Sequence, residues 1–236
     1  MSTITSPDFL KKFIFLIYDF NVLARKTADR FTQQYNWNDN DARIYFFNAV
    51  GQHCLLHGYT ATHIQENILN NKDNWKQNQT YFGSLNNDDF IKLVDTYSGL
   101  VRNNFFLDVV IEIEHAVRIF ASQMIPSIVE DSISVVKDKL IKQLNLDKEY
   151  LNLFGILFQI RNTIHNGGLH SATKTSLSFK GKTFDFVEKE ASQSSLENIE
   201  FLFKEVIVFL TELFELQVSK DISNMEHPYK RLFDKT

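Results

Sequence analysis

Cysteine, proline and glycine are all scarce in this sequence. The 236 residues include one cysteine, three prolines and eight glycines. A single cysteine, Cys54, excludes an intramolecular disulfide and any zinc site built on paired cysteines. Because proline and glycine interrupt helices, their scarcity predicts long helices joined by few loops. Phenylalanine is abundant instead, with 22 residues, and the chain is long enough to bury a sizeable core.

The sequence also lacks an excess of positive charge and a long apolar run. Its net charge is −4, so any contact with nucleic acid must come from a local basic patch. No apolar stretch reaches the length of a membrane span. Lys11 and Lys12 precede an apolar run, but Asp19, Asn21 and Arg25 interrupt it, which is not typical of a secretion signal. We therefore expect a cytoplasmic protein that makes no contact with membranes.

Motifs for several common chemistries are absent as well. The sequence has no glycine-rich phosphate loop, no GxSxG nucleophile turn and no HExxH zinc motif. His53, His57 and His63 lie close in sequence, but only the first two share a helix face. No acidic or cysteine ligand accompanies them at a fixed spacing. We therefore predict no metal site and no cofactor.

Apolar residues recur at three- and four-residue steps through most of the chain, which is typical of amphipathic helices. This spacing predicts one helix from Ser6 to about Tyr35. A second helix is predicted to begin after the capping stretch from Asn38 to Asp41 and to stop at Gly58. The polar stretch from Asn70 to Asn87 has no periodicity and predicts a surface loop.

One short segment departs from the helical pattern. Residues Thr175 to Val187 alternate apolar and polar side chains around a Lys-Gly pair, which predicts a β-hairpin. The fold predicted for residues 1–236 is a single all-α domain with this hairpin as a small insertion. Within it we distinguish an N-terminal helical part, residues 1–80, and a core, residues 87–219.

The stretch from Leu151 to His170 constrains the function most. Arg161 falls on the apolar face of this predicted helix, and arginine cannot lose its charge. It therefore needs an acidic partner, an anionic ligand or a water-filled cleft. His165 lies one helical turn later, just before the glycines that end the helix. Two interpretations stay open at this point: a site that binds an anion, and a structural arginine that ties two helices together.

Polar residues around this pair extend the candidate site. Asn162 and Asn166 lie on a polar stripe of the same helix. On an earlier predicted helix, Glu114 borders the apolar face, where its carboxylate can support the charge of Arg161. Arg118 follows Glu114 by one turn and can pair with it.

The order apolar-Arg-Asn-x-x-His-Asn-Gly, after a helix that carries Glu and Arg, resembles the HEPN superfamily of helical proteins. The hairpin after the motif is similar to that of several bacterial HEPN-like proteins, and the likeness covers roughly Asn87 to Ser219. Arg161, Asn162 and His165 match the arginine, the following polar residue and the histidine of the family motif. Three residues separate Arg161 from His165, whereas the family usually has four to six.

The resemblance implies a helical bundle that forms a homodimer, with the arginine and histidine helices of both subunits facing one cleft. It implies a metal-independent RNase in a toxin or antiviral defence setting, with an antitoxin or another defence-system protein as partner. Other members of the superfamily are non-catalytic modules that bind a protein or a nucleotide. The short spacing fits either a catalytic member or one without catalysis, and a purely structural interaction protein is a third alternative.

Overall fold

The structure, a computed structural model, describes residues 6–70, 87–125, 132–171, 173–191 and 193–226. Most of these residues are helical, and the strands among them form one two-stranded hairpin. The expectation of an all-α protein with a small hairpin is therefore confirmed. Its likeness to a HEPN bundle stays a prediction.

The first two helices pack along each other. Helix α1 spans Ser6–Tyr35, as the apolar spacing predicts. Helix α2 spans Ala42–His63 and continues as a π-helical segment, Ile64–Leu69. The predicted stop at Gly58 is wrong, because this glycine lies inside α2, where a Cβ would be 3.4 Å from Ile17 of α1. Glycine inside a helix costs only about 1 kcal/mol, which packing between the two helices offsets.

Five further helices follow in the described part of the chain. They are α3 (Asn87–Met124), α4 (Ile133–Gln143), α5 (Glu149–His165), α6 (Leu196–Glu215) and α7 (Gln217–Lys220). Most of the stretch predicted as a surface loop, residues 71–86, lies outside the described residues. None of the helices that the structure describes is both long enough and apolar enough to cross a membrane.

The hairpin joins α5 to α6. Strand β1 (Thr175–Phe179) pairs antiparallel with β2 (Lys182–Phe186). Lys180 and Gly181 have φ angles of 46° and 76°, which a two-residue hairpin turn of the favoured type requires. The hairpin predicted near residues 175–187 is therefore confirmed.

Buried hydrophobic side chains from α1 to α6 form one continuous cluster. Aromatic rings connect its helices: Phe203 of α6 lies 5.2 Å from Phe20 of α1 and 5.7 Å from Phe105 of α3 between ring centroids. Such ring pairs bury large areas and add attraction of their own. The helices predicted as an N-terminal part thus share their core with the helices predicted as the HEPN-like core.

Helix α3 positions polar residues toward two neighbouring helices. Glu112 and Glu114 are two residues apart, so their side chains leave the helix about 200° apart around its axis. Glu112 reaches His53 of α2, whereas Glu114 reaches Arg161 of α5. Two separate polar sites therefore flank the same helix.

Candidate functional site

The first of these sites joins Arg161 of α5 to Glu114 of α3. The Arg161 Nη1 group donates a hydrogen bond to Glu114 Oε1. The two side chains are 30% and 15% exposed, so the pair is half-buried between helices. Arg161 Nε is buried and has no acceptor among the described residues. Arg118, the other predicted residue of α3, is half-buried one turn after Glu114.

His165 lies in the last turn of α5, one turn after Arg161. It is exposed, and its imidazole has no hydrogen-bond or ion-pair partner within the part of the chain that the structure describes. Asn162, on the same helix, is exposed as well. An exposed imidazole can exchange protons with a ligand near neutral pH, while a guanidinium close by can hold an anionic group of that ligand.

The chain turns sharply where α5 ends. Gly167 and Gly168 have positive φ angles of 75° and 87°, and the Gly168 N–H donates to the Thr163 carbonyl oxygen at 2.9 Å. This bond satisfies a carbonyl of the last turn, as terminal glycines commonly do. Asn166 Nδ2 donates to Ser171 Oγ at 2.8 Å. Any contact of the Asn166 amide with RNA would therefore compete with its bond to the following loop.

His170 is a buried residue beside this helix end that the sequence did not single out. It is 4% exposed, its Nδ1 lies 3.3 Å from Thr163 Oγ1, and its ring centroid lies 5.6 Å from that of Phe186. Its backbone N–H donates to the Glu190 carbonyl oxygen at 2.9 Å. His170 thereby fastens the segment after the hairpin to the end of α5. Phe186 of β2 and Glu190 after the hairpin become its neighbours only once the chain is folded, so no local sequence pattern marks it.

The hairpin lies against the middle of α5. A Cβ at Gly155 would lie only 3.1 Å from Leu177 Cδ1 of β1, so glycine allows the strand to approach the helix closely. The flanks of the hairpin reach the end of α5 through a backbone bridge between Leu169 and Ala191.

The second polar site lies between α2 and α3. His57 Nε2 is 2.7 Å from Asp108 Oδ2, and His53 Nδ1 is 3.5 Å from the same oxygen. His53 Nε2 in turn is 3.3 Å from Glu112 Oε1. His53, His57 and Asp108 offer ligand atoms that all lie within 4.8 Å of one another, close enough to hold a metal ion. The sequence argument against a metal considered only acids close in sequence, whereas Asp108 comes from another helix.

Glu112 is held ionised in this second site. Burial opposes its charged form, but the neighbouring imidazoles of His115 and His53 outweigh burial and lower the pKa of Glu112 to about 2. The hydrogen bond with Glu112 also raises the pKa of His53, against the opposing effect of burial. The carboxylate of Glu112 is therefore a permanent acceptor for the ring N–H of His53.

No protein-family model, no curated protein and no solved structure matches this chain.

Proposed function

We propose that this chain is a metal-independent RNase of the HEPN type that acts as a homodimer in the cytoplasm. The observation that carries the proposal is the pairing, one turn apart on α5, of a half-buried arginine with an exposed histidine. The planar guanidinium of Arg161 matches the geometry of phosphate oxygens. The imidazole of His165 can serve as a general base or a general acid.

RNA cleavage without a metal needs a base, an acid and positive charge on the phosphate. The base removes the proton of a ribose 2′-hydroxyl, and the 2′-oxygen then attacks the adjacent phosphorus. The bond from phosphorus to the 5′-oxygen breaks, and the acid protonates that oxygen. The products carry a 2′,3′-cyclic phosphate and a 5′-hydroxyl.

The proposed dimer assigns these roles to two copies of α5. One His165 acts as the base and the other as the acid, while the two Arg161 side chains hold the phosphate. Asn162 and Asn166 orient the RNA backbone. Glu114 positions the guanidinium of Arg161 through their ion pair, and Arg118 adds positive charge on α3.

The test is cleavage of a defined single-stranded RNA by purified wild-type protein and by His165→Ala, with and without EDTA. We expect cleavage by the wild type in both conditions and cyclic-phosphate ends on the products. His165→Ala should lose about 10²–10⁴-fold in rate, the range for removal of a general acid or base. Because His165 is exposed at a helix end, the thermal unfolding of the His165→Ala variant should match that of the wild type.

His63→Ala is the matched control, since His63 is an exposed histidine on α2 and has no role in the proposal. It should cleave at the wild-type rate. Cleavage that survives in His165→Ala would reject the mechanism. Light scattering that finds only monomers during active cleavage would reject the shared cleft.

The toxin or defence setting is tested in bacterial cells. Induced wild-type protein should arrest growth and fragment cellular RNA, whereas His165→Ala expressed to the same level should do neither. An antitoxin or other partner protein of the proposed system should relieve the arrest when it is produced from a second plasmid. Normal growth with fragmented RNA would separate the RNase activity from a role as a toxin.

A non-catalytic module that binds a nucleotide is the second candidate. The short spacing between Arg161 and His165, which departs from the HEPN motif, favours it. This candidate predicts intact RNA in the assay above, together with a rise in Tm on addition of a nucleoside monophosphate. The rise should vanish in Arg161→Lys, because lysine lacks the planar pair of donors.

A further inference from the structure

Two helices bring four polar side chains together at one place away from Arg161. His53 and His57 lie one turn apart on α2, and Asp108 and Glu112 lie one turn apart on α3. Residues with this spacing share a helix face, so the contact between α2 and α3 sets a pair of imidazoles against a pair of carboxylates. Asp108 Oδ2 approaches both imidazoles, at 2.7 Å from His57 Nε2 and 3.5 Å from His53 Nδ1.

The geometry points to a site for a divalent transition-metal ion whose ligands are His53 Nδ1, His57 Nε2 and Asp108 Oδ2. Each of these three residues offers one ligand atom, and those atoms lie within 4.8 Å of one another. Around a tetrahedral zinc ion, ligand atoms at about 2.1 Å from the metal are about 3.4 Å apart. The separation of 3.5 Å between His53 and Asp108 already fits. His57 and Asp108, now 2.7 Å apart, need to separate by about 0.7 Å to reach that tetrahedral spacing.

Glu112 and Phe105 orient the two imidazoles for this role. A histidine that binds a metal through one ring nitrogen usually donates its other ring N–H to a carboxylate, which fixes the tautomer and the ring orientation. Glu112 Oε1 lies 3.3 Å from His53 Nε2, so a neutral ring that donates from Nε2 to Glu112 has its Nδ1 lone pair on the side of Asp108. The ring of His57 meets the ring of Phe105 edge-on, with centroids 5.6 Å apart. Both rings are thus held before any ion arrives.

The ligand set also defines the class of metal. Imidazole nitrogen suits zinc, iron, nickel and copper, whereas calcium and magnesium prefer oxygen ligands. Three protein ligands leave a fourth position for water. The side chains of His53 and Asp108 are 26% and 34% exposed, so an ion can enter from solvent and keep a water molecule. We choose zinc as the probe ion.

This site is independent of the proposed RNase site. Glu112 and Glu114 leave α3 in nearly opposite directions, so the metal bridges α2 to α3, while the ion pair with Arg161 bridges α3 to α5. A bound ion would stabilise the folded state, since it binds that state in preference to the unfolded chain. RNA cleavage would still proceed in EDTA. Failure of either proposal therefore leaves the other standing.

The test measures zinc binding to EDTA-treated, dialysed full-length protein by equilibrium dialysis, and its Tm with and without zinc. We expect one zinc per chain and a higher Tm for the wild type. Asp108→Asn and His53→Gln should each lose both effects, while Glu112→Gln should bind about 10–100-fold more weakly, as is usual when an outer carboxylate is lost. His63→Gln, an exposed histidine of the same helix, should bind zinc as the wild type does.

Cobalt titration of the wild type provides a readout that needs no variant. Co²⁺ in a tetrahedral site with two imidazoles should give a visible absorption band that zinc then removes. Absence of both zinc binding and the cobalt band in the wild type would show that the cluster is only a hydrogen-bonded network. Zinc binding that is unchanged in both Asp108→Asn and His53→Gln would place the ion elsewhere and overturn the assignment.

Discussion

Arg43 at the start of α2 and Arg161 near the end of α5 are both arginines set among apolar side chains, yet their surroundings differ. The Arg43 side chain is 0% exposed. Its guanidinium donates to both carboxylate oxygens of Asp41, at 2.8 Å and 2.6 Å. It also donates to the carbonyl oxygens of Ser219 and Ile222, at 2.5 Å and 3.0 Å.

Arg161 has fewer partners. It bonds to Glu114, its Nε lacks an acceptor among the described residues, and 30% of its side chain is exposed. Arg43, by contrast, has an aromatic partner as well: its guanidinium carbon lies 3.5 Å from the centroid of the Trp37 ring.

The comparison of Arg43 with Arg161 distinguishes a structural arginine from one that is able to bind a ligand. A guanidinium buried for structural reasons needs an acceptor for each of its three nitrogen atoms, because a nitrogen without one in the interior is costly. Arg43 meets this requirement. Its bonds to the carbonyl oxygens of Ser219 and Ile222 hold that segment of the chain against the start of α2. Arg161 does not meet this requirement, because its buried Nε lacks an acceptor among the described residues, and the exposed part of its side chain is open to an anionic ligand. The structural interpretation therefore describes Arg43 better than it describes Arg161.

The largest effect expected from this comparison is loss of stability in Arg43→Met. Methionine keeps much of the volume but leaves the buried Asp41 carboxylate, 1% exposed, without its cation. Breaking a buried pair in this way costs about 3–5 kcal/mol. Urea denaturation of the wild type and the variant measures the change in the free energy of unfolding.

The double variant Asp41→Asn with Arg43→Met serves as the control for this prediction. Its loss in the free energy of unfolding should be smaller than the sum of the losses in the two single variants, because neither charge is then buried without its partner. A loss below about 1 kcal/mol in Arg43→Met would contradict the structural role given to this arginine.

Local patterns in the sequence predicted α1 and the hairpin well, because their signals lie within each segment. Helix α1 follows from apolar spacing alone, and the Lys-Gly pair at 180–181 fixes the hairpin turn. Gly58 was misjudged, because its reason for being glycine lies in the contact with Ile17 of another helix. Local signals carry no information about such a partner.

In the candidate sites, too, local sequence patterns do not reveal partners that come from other parts of the chain. Arg161 could be singled out because a charge on an apolar face is visible in one helix. Arg43 could not, because its carbonyl partners belong to Ser219 and Ile222 at the other end of the chain. Asp108, the proposed metal ligand, could not be singled out for the same reason, since its contact with His57 exists only once α2 and α3 are packed.

An intermediate effect is expected for Glu114→Gln. This change leaves Arg161 without its acidic partner, but 30% exposure lets water compensate in part. We expect a loss of about 1–2 kcal/mol, between the values for surface pairs and buried pairs. Any RNA cleavage should fall by less than about tenfold, because Glu114 acts only through Arg161.

Glu200→Gln is the matched control for this change, since it breaks an exposed pair with Lys204 and should leave stability nearly unchanged. A Glu114→Gln protein that folds with wild-type stability but cleaves no RNA would give Glu114 a direct role in the chemistry.

The smallest effect is expected for a third arginine, Arg30 of α1, which pairs with Glu215 of α6 at the surface. The two atoms are 3.1 Å apart, and the side chains are 48% and 38% exposed. Water screens such a pair, and holding two long side chains in one geometry costs entropy. Glu215→Gln should therefore change the free energy of unfolding by less than about 0.5 kcal/mol, and 1 M salt should abolish even that difference. Urea denaturation at low and high salt measures both values. A loss as large as that of Glu114→Gln would mean that burial does not rank the three arginines, and the contrast between Arg43 and Arg161 would then lose its physical basis.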